Sequence, residues 1–559
     1  MIANAELLGL LAEHLILTGL PAALAALLAL RLGLRSVPLL LALALAASGL
    51  AAILAFWAYY ADPLIGQVVA FLLVLGSVQG IVLCRPDRLD RALLRRLAVP
   101  AALWALSSVF IVFLGFVHGG EDEPLTLALT RFSHLLPPDN QIPGHFAEWY
   151  FDHGHDGAPP PFGDWLSSDR PPLQVGYVLA QHPFGWDERG LHYQVLGVVV
   201  QQLWIVGMWA VLCAARLRPL ARGLAISAAM VSDVAIVHGF FIWPKLIAAA
   251  FVLAALAMVL SDEWRELRRS PAAAALFAAL CALAMLAHGA SAFGIVPLLV
   301  LAAWRGLPSR RWLGVAALVG LALLAPWTAY QRLADPPGDR LIKWQIGGAL
   351  PIDDRGALET IVDGYREIGV GGALGNKRQN LDTMIGWDET EGAVRSAIDK
   401  LGEGHPGEAA ATLRQPRFFA LFSFLGILLL GPLAMLAARV RGSPGGPEWR
   451  FALVSLAFCG LAVVTWALLL FGGEEAAATL HVGSLTLPLL AVCACVVGAY
   501  AVSPRLGVGL AALNALLVLV LYAPVLDPLP GTSFSPAAAL LAAAGLAGFL
   551  FVALRRAGP

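Results

Sequence analysis

The chain has 559 residues, 59% of them hydrophobic and only 13% charged, with a formal charge of −1 and a mean hydropathy of +0.76. Ordinary globular composition is about a quarter charged, so a water-soluble globule is excluded: there is too little polar surface to cover so much apolar chain. The missing basic surplus also excludes nucleic acid as a partner, because nothing is available to neutralise phosphates.

A membrane span needs roughly 17 to 25 mostly apolar residues. About fifteen segments come near this, at 6–30, 37–57, 65–84, 97–117, 193–213, 223–241, 244–260, 272–288, 291–304, 312–329, 417–438, 451–471, 482–502, 506–523 and 536–554. The tightly turned pairs around Phe240 and Gly289 are open to a re-entrant reading. The expected fold is an all-α polytopic membrane protein with about 13–15 transmembrane helices and two large extracytoplasmic loops. Its divisions are N-terminal helices over 1–117, a first loop over 118–192, central helices over 193–329, a second loop over 330–416 and C-terminal helices over 417–559.

Arginine sets the expected orientation. Alternate short loops hold Arg31 and Arg35, Arg85 to Arg96, Arg216 to Arg222, Arg265 to Arg269, Arg305 to Arg311, Arg439 to Arg450, then Arg505 and Arg555. The opposite short loops hold Asp62, Glu474, Glu475 and Asp527, with one basic residue, Lys245. By the positive-inside rule the N-terminus and both long loops face outward and the C-terminus is cytoplasmic. The start of the chain lacks a basic n-region, so it reads as a retained helix. Lysine is otherwise confined to Lys343, Lys377 and Lys400, with arginine, alanine and leucine abundant, a bias of GC-rich bacterial genes that points to a bacterial inner membrane. The six cysteines lie in or beside apolar segments, which argues against a disulfide framework or a zinc site.

The candidate chemistry sits mainly in the first loop. Glu121, Asp122 and Glu123 open it beside a span, where a carboxylate can serve as general base towards an interfacial substrate; the same residues before Pro124 also read as an acidic helix start. Asp152-His153-Gly154-His155-Asp156 has the residue types of a divalent metal site, with Asp122, His153 and His155 as candidate ligands, or of a solvated loop. In Ser167-Ser168-Asp169-Arg170-Pro171-Pro172, Arg170 can fork onto a phosphate or carboxylate, or form a turn pair with Asp169.

Within the spans, Asp233 is an intramembrane carboxylate and a functional candidate by default, as are Glu13 and His14. Lys245, in Phe240-Phe241-Ile242-Trp243-Pro244-Lys245, breaks the charge asymmetry and suits a lipid phosphate at the interface; the alternative is a lysine snorkelling from a helix start. His288 and His481, each before a small-residue turn, suit pore-facing or packing roles. In the second loop, 358–368 and 391–401 are amphipathic and fit a membrane surface. No phosphate-binding P-loop and no large cytoplasmic loop occurs, so any group donor is expected to be carried in the membrane.

Four features together resemble the GT-C superfamily of polytopic glycosyltransferases, which includes the aminoarabinose and protein O-mannosyl transferases. They are Glu121-Asp122-Glu123 opening the first loop, Ser168-Asp169-Arg170-Pro171-Pro172-Leu173 closing it, Trp243-Pro244-Lys245 at an outer helix start, and Pro326-Trp327-Thr328-Ala329-Tyr330-Gln331 leading to Asp335-Pro336-Pro337-Gly338-Asp339-Arg340-Leu341. The chain departs from the family in placing the acidic loop after about the fourth span rather than the first. The resemblance implies a polyprenyl-phosphate-sugar donor and a glycan, lipid or protein acceptor, with Asp122 or Glu123 as base. Lys245 and Arg170 would hold the donor phosphate, His134, His145, His153 and His155 would contribute from the loop, and a divalent metal serves some members. The alternatives are a transporter or lipid flippase working through Asp233, and a non-catalytic envelope-assembly scaffold.

Overall fold

In hydrocarbon a helix satisfies its own backbone hydrogen bonds, so long runs of Ala, Leu, Val and Ile fold as helices there. A computed structural model describes residues 2–132, 136–187, 189–352, 355–442, 445–473, 485–522 and 534–555. His134, His481, Glu474, Glu475 and Asp527 lie outside the described residues. Among those described there is no strand, only an isolated bridge between Phe162 and Trp165.

Among the described residues ten helices are long and apolar enough to cross a membrane: Asn4–Arg31, Val37–Ala61, Pro63–Cys84, Arg91–Gly115, Leu191–Ala214, Arg310–Leu333, Leu421–Val440, Pro447–Leu469, Pro504–Tyr522 and Pro536–Arg555. An eleventh crossing forms if Pro219–Met230 and Asp233–Phe240, bent by 53°, count as one. The remaining expected spans carry the shorter apolar helices Lys245–Leu260, Pro271–Ala287, Gly289–Trp304 and Thr486–Val502. They are short because turns consume their ends. Ile242 takes a left-handed conformation before Lys245, and Ser291 Oγ turns back onto the carbonyls of Ala284 and His288.

Val37–Ala61 and Pro63–Cys84 are joined by a single residue. The Asp62 carboxylate accepts from the amides of Leu64 and Ile65 at 2.8 and 3.0 Å, and Pro63 at the first helical position has no amide to leave unpaired. Pro63–Cys84 and Arg310–Leu333 bury only 17% and 11% of their most apolar stretch, so their sides face lipid. The core is built on Lys245–Leu260 and Thr486–Val502, buried almost throughout. Gly207 lets Trp204–Ala214 approach the first of these so closely that a Cβ there would lie 2.5 Å from the Ala250 carbonyl oxygen.

The N-terminal helices are part of this body. Val37–Ala61 packs against Leu173–Gln181, Trp204–Ala214 and Lys245–Leu260. The second long loop folds into Arg340–Gly347, Ala357–Ile385, Trp387–Gly402 and Pro406–Phe419. Its entry meets the first loop on one face of the molecule, where the Tyr330 hydroxyl bonds those of Tyr150 and Ser167.

Candidate functional site

The corner that carries Lys245 is held by two buried glutamines. Gln201, at the end of Leu191–Gln201, accepts from the amides of Leu246 and Ile247 at 3.0 and 3.1 Å, capping the Lys245–Leu260 helix from a neighbouring element. Gln174, from the first-loop helix Leu173–Gln181, donates to the Ile242 carbonyl at 2.8 Å. A non-glycine residue in the left-handed region is strained, so this bond holds Ile242 where its own backbone would not settle. The result is a fixed Trp243-Pro244-Lys245 turn, with the Lys245 ammonium 3.4 Å from the centre of the Trp243 ring.

Three sequence candidates converge here. Arg170, Lys245 and Asp139 lie within electrostatic reach of one another, and His288 is within reach of both cations. Arg170 donates to Asp139 at 3.1 Å, and their side chains are 13% and 11% exposed. The His288 ring stands edge-on to Trp243 at 6.0 Å, and its Nδ1 accepts from the Ala290 amide at 3.2 Å. That bond leaves Nε2 as the ring's donor. Burial pulls the Arg170 pKa down, and the charges of Asp139 and Asp169 pull it back. The cluster thus brings together two basic side chains, the Asp139 carboxylate and a histidine ring, beside Trp243 and Trp165.

Its outer wall joins the two loops. Trp165 is flanked by Arg170 at 4.2 Å and by Arg340 of the second loop at 4.6 Å. Arg340 pairs with Asp164 at 2.6 Å and with the buried Asp169 at 3.5 Å. The Arg340 hydrogen bond holds the Asp164 carboxyl below its usual range, whereas burial pushes that of Asp169 up, against the Leu166 amide and the Arg340 charge. Beside them, Asp335 accepts from Ser167 Oγ at 2.6 Å and from the Ser168 amide at 2.9 Å. Gln331 Nε2 donates to the carbonyls of Ser168 and Gly338 at 2.9 and 3.0 Å. The segments 167–170 and 330–340 are thus one polar structure.

Glu121, Asp122 and Glu123 form a turn between the left-handed Gly120 and the helix Pro124–Thr130; Asp122 and Glu123 are exposed. Glu123 stands at the cap position of that helix with Pro124 at its first turn, as the acidic-start reading expects, although its side chain makes no capping hydrogen bond. The turn is tied towards the cluster through Asn140, next to Asp139, whose side chain donates to the Leu125 carbonyl at 3.1 Å.

Other candidates lie apart. His153 stacks on Trp149 at 4.0 Å, and His155 Nδ1 bonds the Ala61 carbonyl at 2.9 Å. Among the described residues no group of three or more His, Cys, Asp or Glu side chains is arranged to hold a metal ion, so Asp122, His153 and His155 do not form one. His145 Nε2 bonds the Pro160 carbonyl at 3.0 Å, and His14 pairs with Gln181 at 2.9 Å. Asp233 is paired at 2.6 Å with the buried Arg417, whose other nitrogens reach the carbonyls of Ser423 and Phe424.

Sequence reading passed over Asp139, Gln174, Gln201, Trp165 and Arg417. A glutamine inside an apolar run was the available signal for the two amides, since a buried amide must find partners. Compared with protein-family models, with curated proteins and with solved structures, the chain matches none.

Proposed function

We propose that the chain is a membrane glycosyltransferase of the GT-C type, moving a sugar from a polyprenyl-phosphate donor to a hydroxyl acceptor. The observation that supports this reading is that Lys245, Arg170 and the His288 ring, from three separate elements, lie within electrostatic reach of one another at the start of an apolar helix. In the reaction the acceptor oxygen attacks the anomeric carbon and the bond from that carbon to the phosphate oxygen breaks. The lipid phosphate leaves with the bond's electron pair. Lys245, Arg170 and the His288 Nε2–H stabilise that charge, which is the main demand of the step. Asp122 or Glu123 takes the acceptor proton. Asp139 competes for Arg170 until the donor arrives.

The test uses the protein in lipid nanodiscs with a panel of polyprenyl-phosphate sugars, following release of polyprenyl phosphate by mass spectrometry. Arg170→Lys and Lys245→Met are each expected to lower turnover by roughly 10²- to 10³-fold, and Asp122→Asn to abolish it unless Glu123 serves. Unchanged release in both cation variants would sink the reading. The 53° break at Asp233 favours a transporter or flippase as the second reading, since broken helices line many transport sites. Loss of lipid movement in Asp233→Asn, with no sugar transfer by any variant, would establish it.

A further inference from the structure

The second long loop carries two helices with apolar side chains that stay exposed among the described residues. In Ala357–Ile385, a left-handed Gly369 divides the helix. Beyond it Val370 and Leu374 are 79% and 67% exposed, one turn apart on a single face. In Trp387–Gly402, Trp387, Val394, Ile398 and Leu401 fall within one narrow arc at helical spacing, with Trp387 54% and Ile398 62% exposed.

Both helices are fastened to the ends of membrane spans. Asn380 Nδ2 donates to the carbonyls of Ala467 and Leu470, at 3.2 and 3.0 Å, where Pro447–Leu469 ends. Lys377 Nζ also bonds the Leu470 carbonyl. The Trp387 ring meets Phe422, at the start of Leu421–Val440, with centroids 4.5 Å apart. Two independent span ends therefore fix the height of these helices at the place where lipid headgroups meet the protein.

We propose that the 370–385 half of the first helix and the whole of the second lie in the headgroup layer, with their apolar stripes dipped into the acyl chains. The occupant of these faces is lipid, by continuity with the lipid-facing surface of the spans that hold them. Between Ala357 and Gly402 there are eight acidic and five basic side chains, so the attachment is apolar and does not select anionic lipid. The inference rests on the membrane fold alone and stands or falls separately from sugar transfer.

The experiment places an environment-sensitive label on single introduced cysteines in the full chain, in nanodiscs containing doxyl-quencher lipids. The unsubstituted protein supplies the blank for its own cysteines. Labels at Val394, Ile398 and Leu401 are expected to be quenched several-fold more than labels at the exposed Asp388 and Asp399, which lie off the stripe on the helical wheel. The pattern should be the same in zwitterionic and anionic lipid and at low and high salt. Equal quenching at all five positions would overturn the proposal. So would stripe labels that are shielded from quencher but in contact with one another, the signature of a second copy seated there. Quenching confined to anionic lipid at low salt would overturn it too.

Discussion

At the scale of single residues, His182 shows how burial sets chemistry in the first loop. Its ring is stacked between Phe151, with centroids 3.6 Å apart, and Trp186 at 4.5 Å. Burial pushes its pKa down to about 4, against the nearby Asp152 charge. The unfolded value is about 6.5, so between these limits the unfolded chain holds a proton that the folded ring lacks. Stability therefore rises with pH across that window: it is fully present above about 6.5 and is lost progressively as pH falls towards about 4. Thermal unfolding of the purified protein should show this slope, and His182→Phe, which keeps the stack and removes the proton site, should make it shallower. An unchanged slope in that variant would assign the effect elsewhere. Residues of this kind differ in how visible they are beforehand. Lys245 was legible because it broke an otherwise uniform arginine asymmetry, and Arg170 because prolines stiffen the chain after it. Asp139 was not, because Pro-Asp-Asn reads as an ordinary turn and its meaning comes from a guanidinium far along the chain.

At the scale of elements, the broken helix at Asp233 shows what periodicity omits. Hydropathy places an apolar segment over 223–241, but the break after Met230 and the cation that meets it come from a different part of the sequence. Arg417 enters from Pro406–Phe419 and binds Asp233 at 2.6 Å, with the two side chains 7% and 0% exposed. Removing the arginine leaves a buried carboxylate without its counter-ion, at a cost of about 3–5 kcal/mol, while replacing both partners by apolar residues of similar volume is often neutral. Arg417→Met is accordingly expected to destabilise strongly in a reversible detergent-unfolding assay, and Asp233→Leu added to it should restore most of the loss. Additive losses in the double variant would show that the pair is not what secures the break. The helices themselves were legible nearly throughout, since each expected span has an apolar helix at its place. Their lengths were not, because a turn such as Ile242–Lys245 is held by amides from Gln174 and Gln201 that local sequence does not connect to it.

At the scale of the whole molecule, the entry of the second long loop is tied to the first loop through residues 164–170 and 330–340, and the first three helices pack with the rest. The motifs at 168–173 and 326–341 were legible as separate signals; that they close on each other through Asp335, Gln331 and Arg340 was not, because ion pairs and carbonyl acceptors leave no spacing pattern. The central helix Lys245–Leu260 adds a constraint of a different kind. Its 16 residues rise about 24 Å, whereas the hydrocarbon layer is about 30 Å thick. Its far end is marked by Asp262, exposed and paired with Arg216, so the shortfall of about 6 Å falls on the Lys245 side. A lipid phosphate bound there has to descend below the plane of its neighbours, and each extra methylene in the surrounding acyl chains deepens that descent. Under the proposed reaction, turnover in phosphatidylcholines of graded chain length should decline as the bilayer thickens, with the Arg170→Lys variant declining more steeply; a flat profile would place Lys245 level with the headgroups. Under that proposed reaction, membrane thickness would act as a throttle set by the length of one helix.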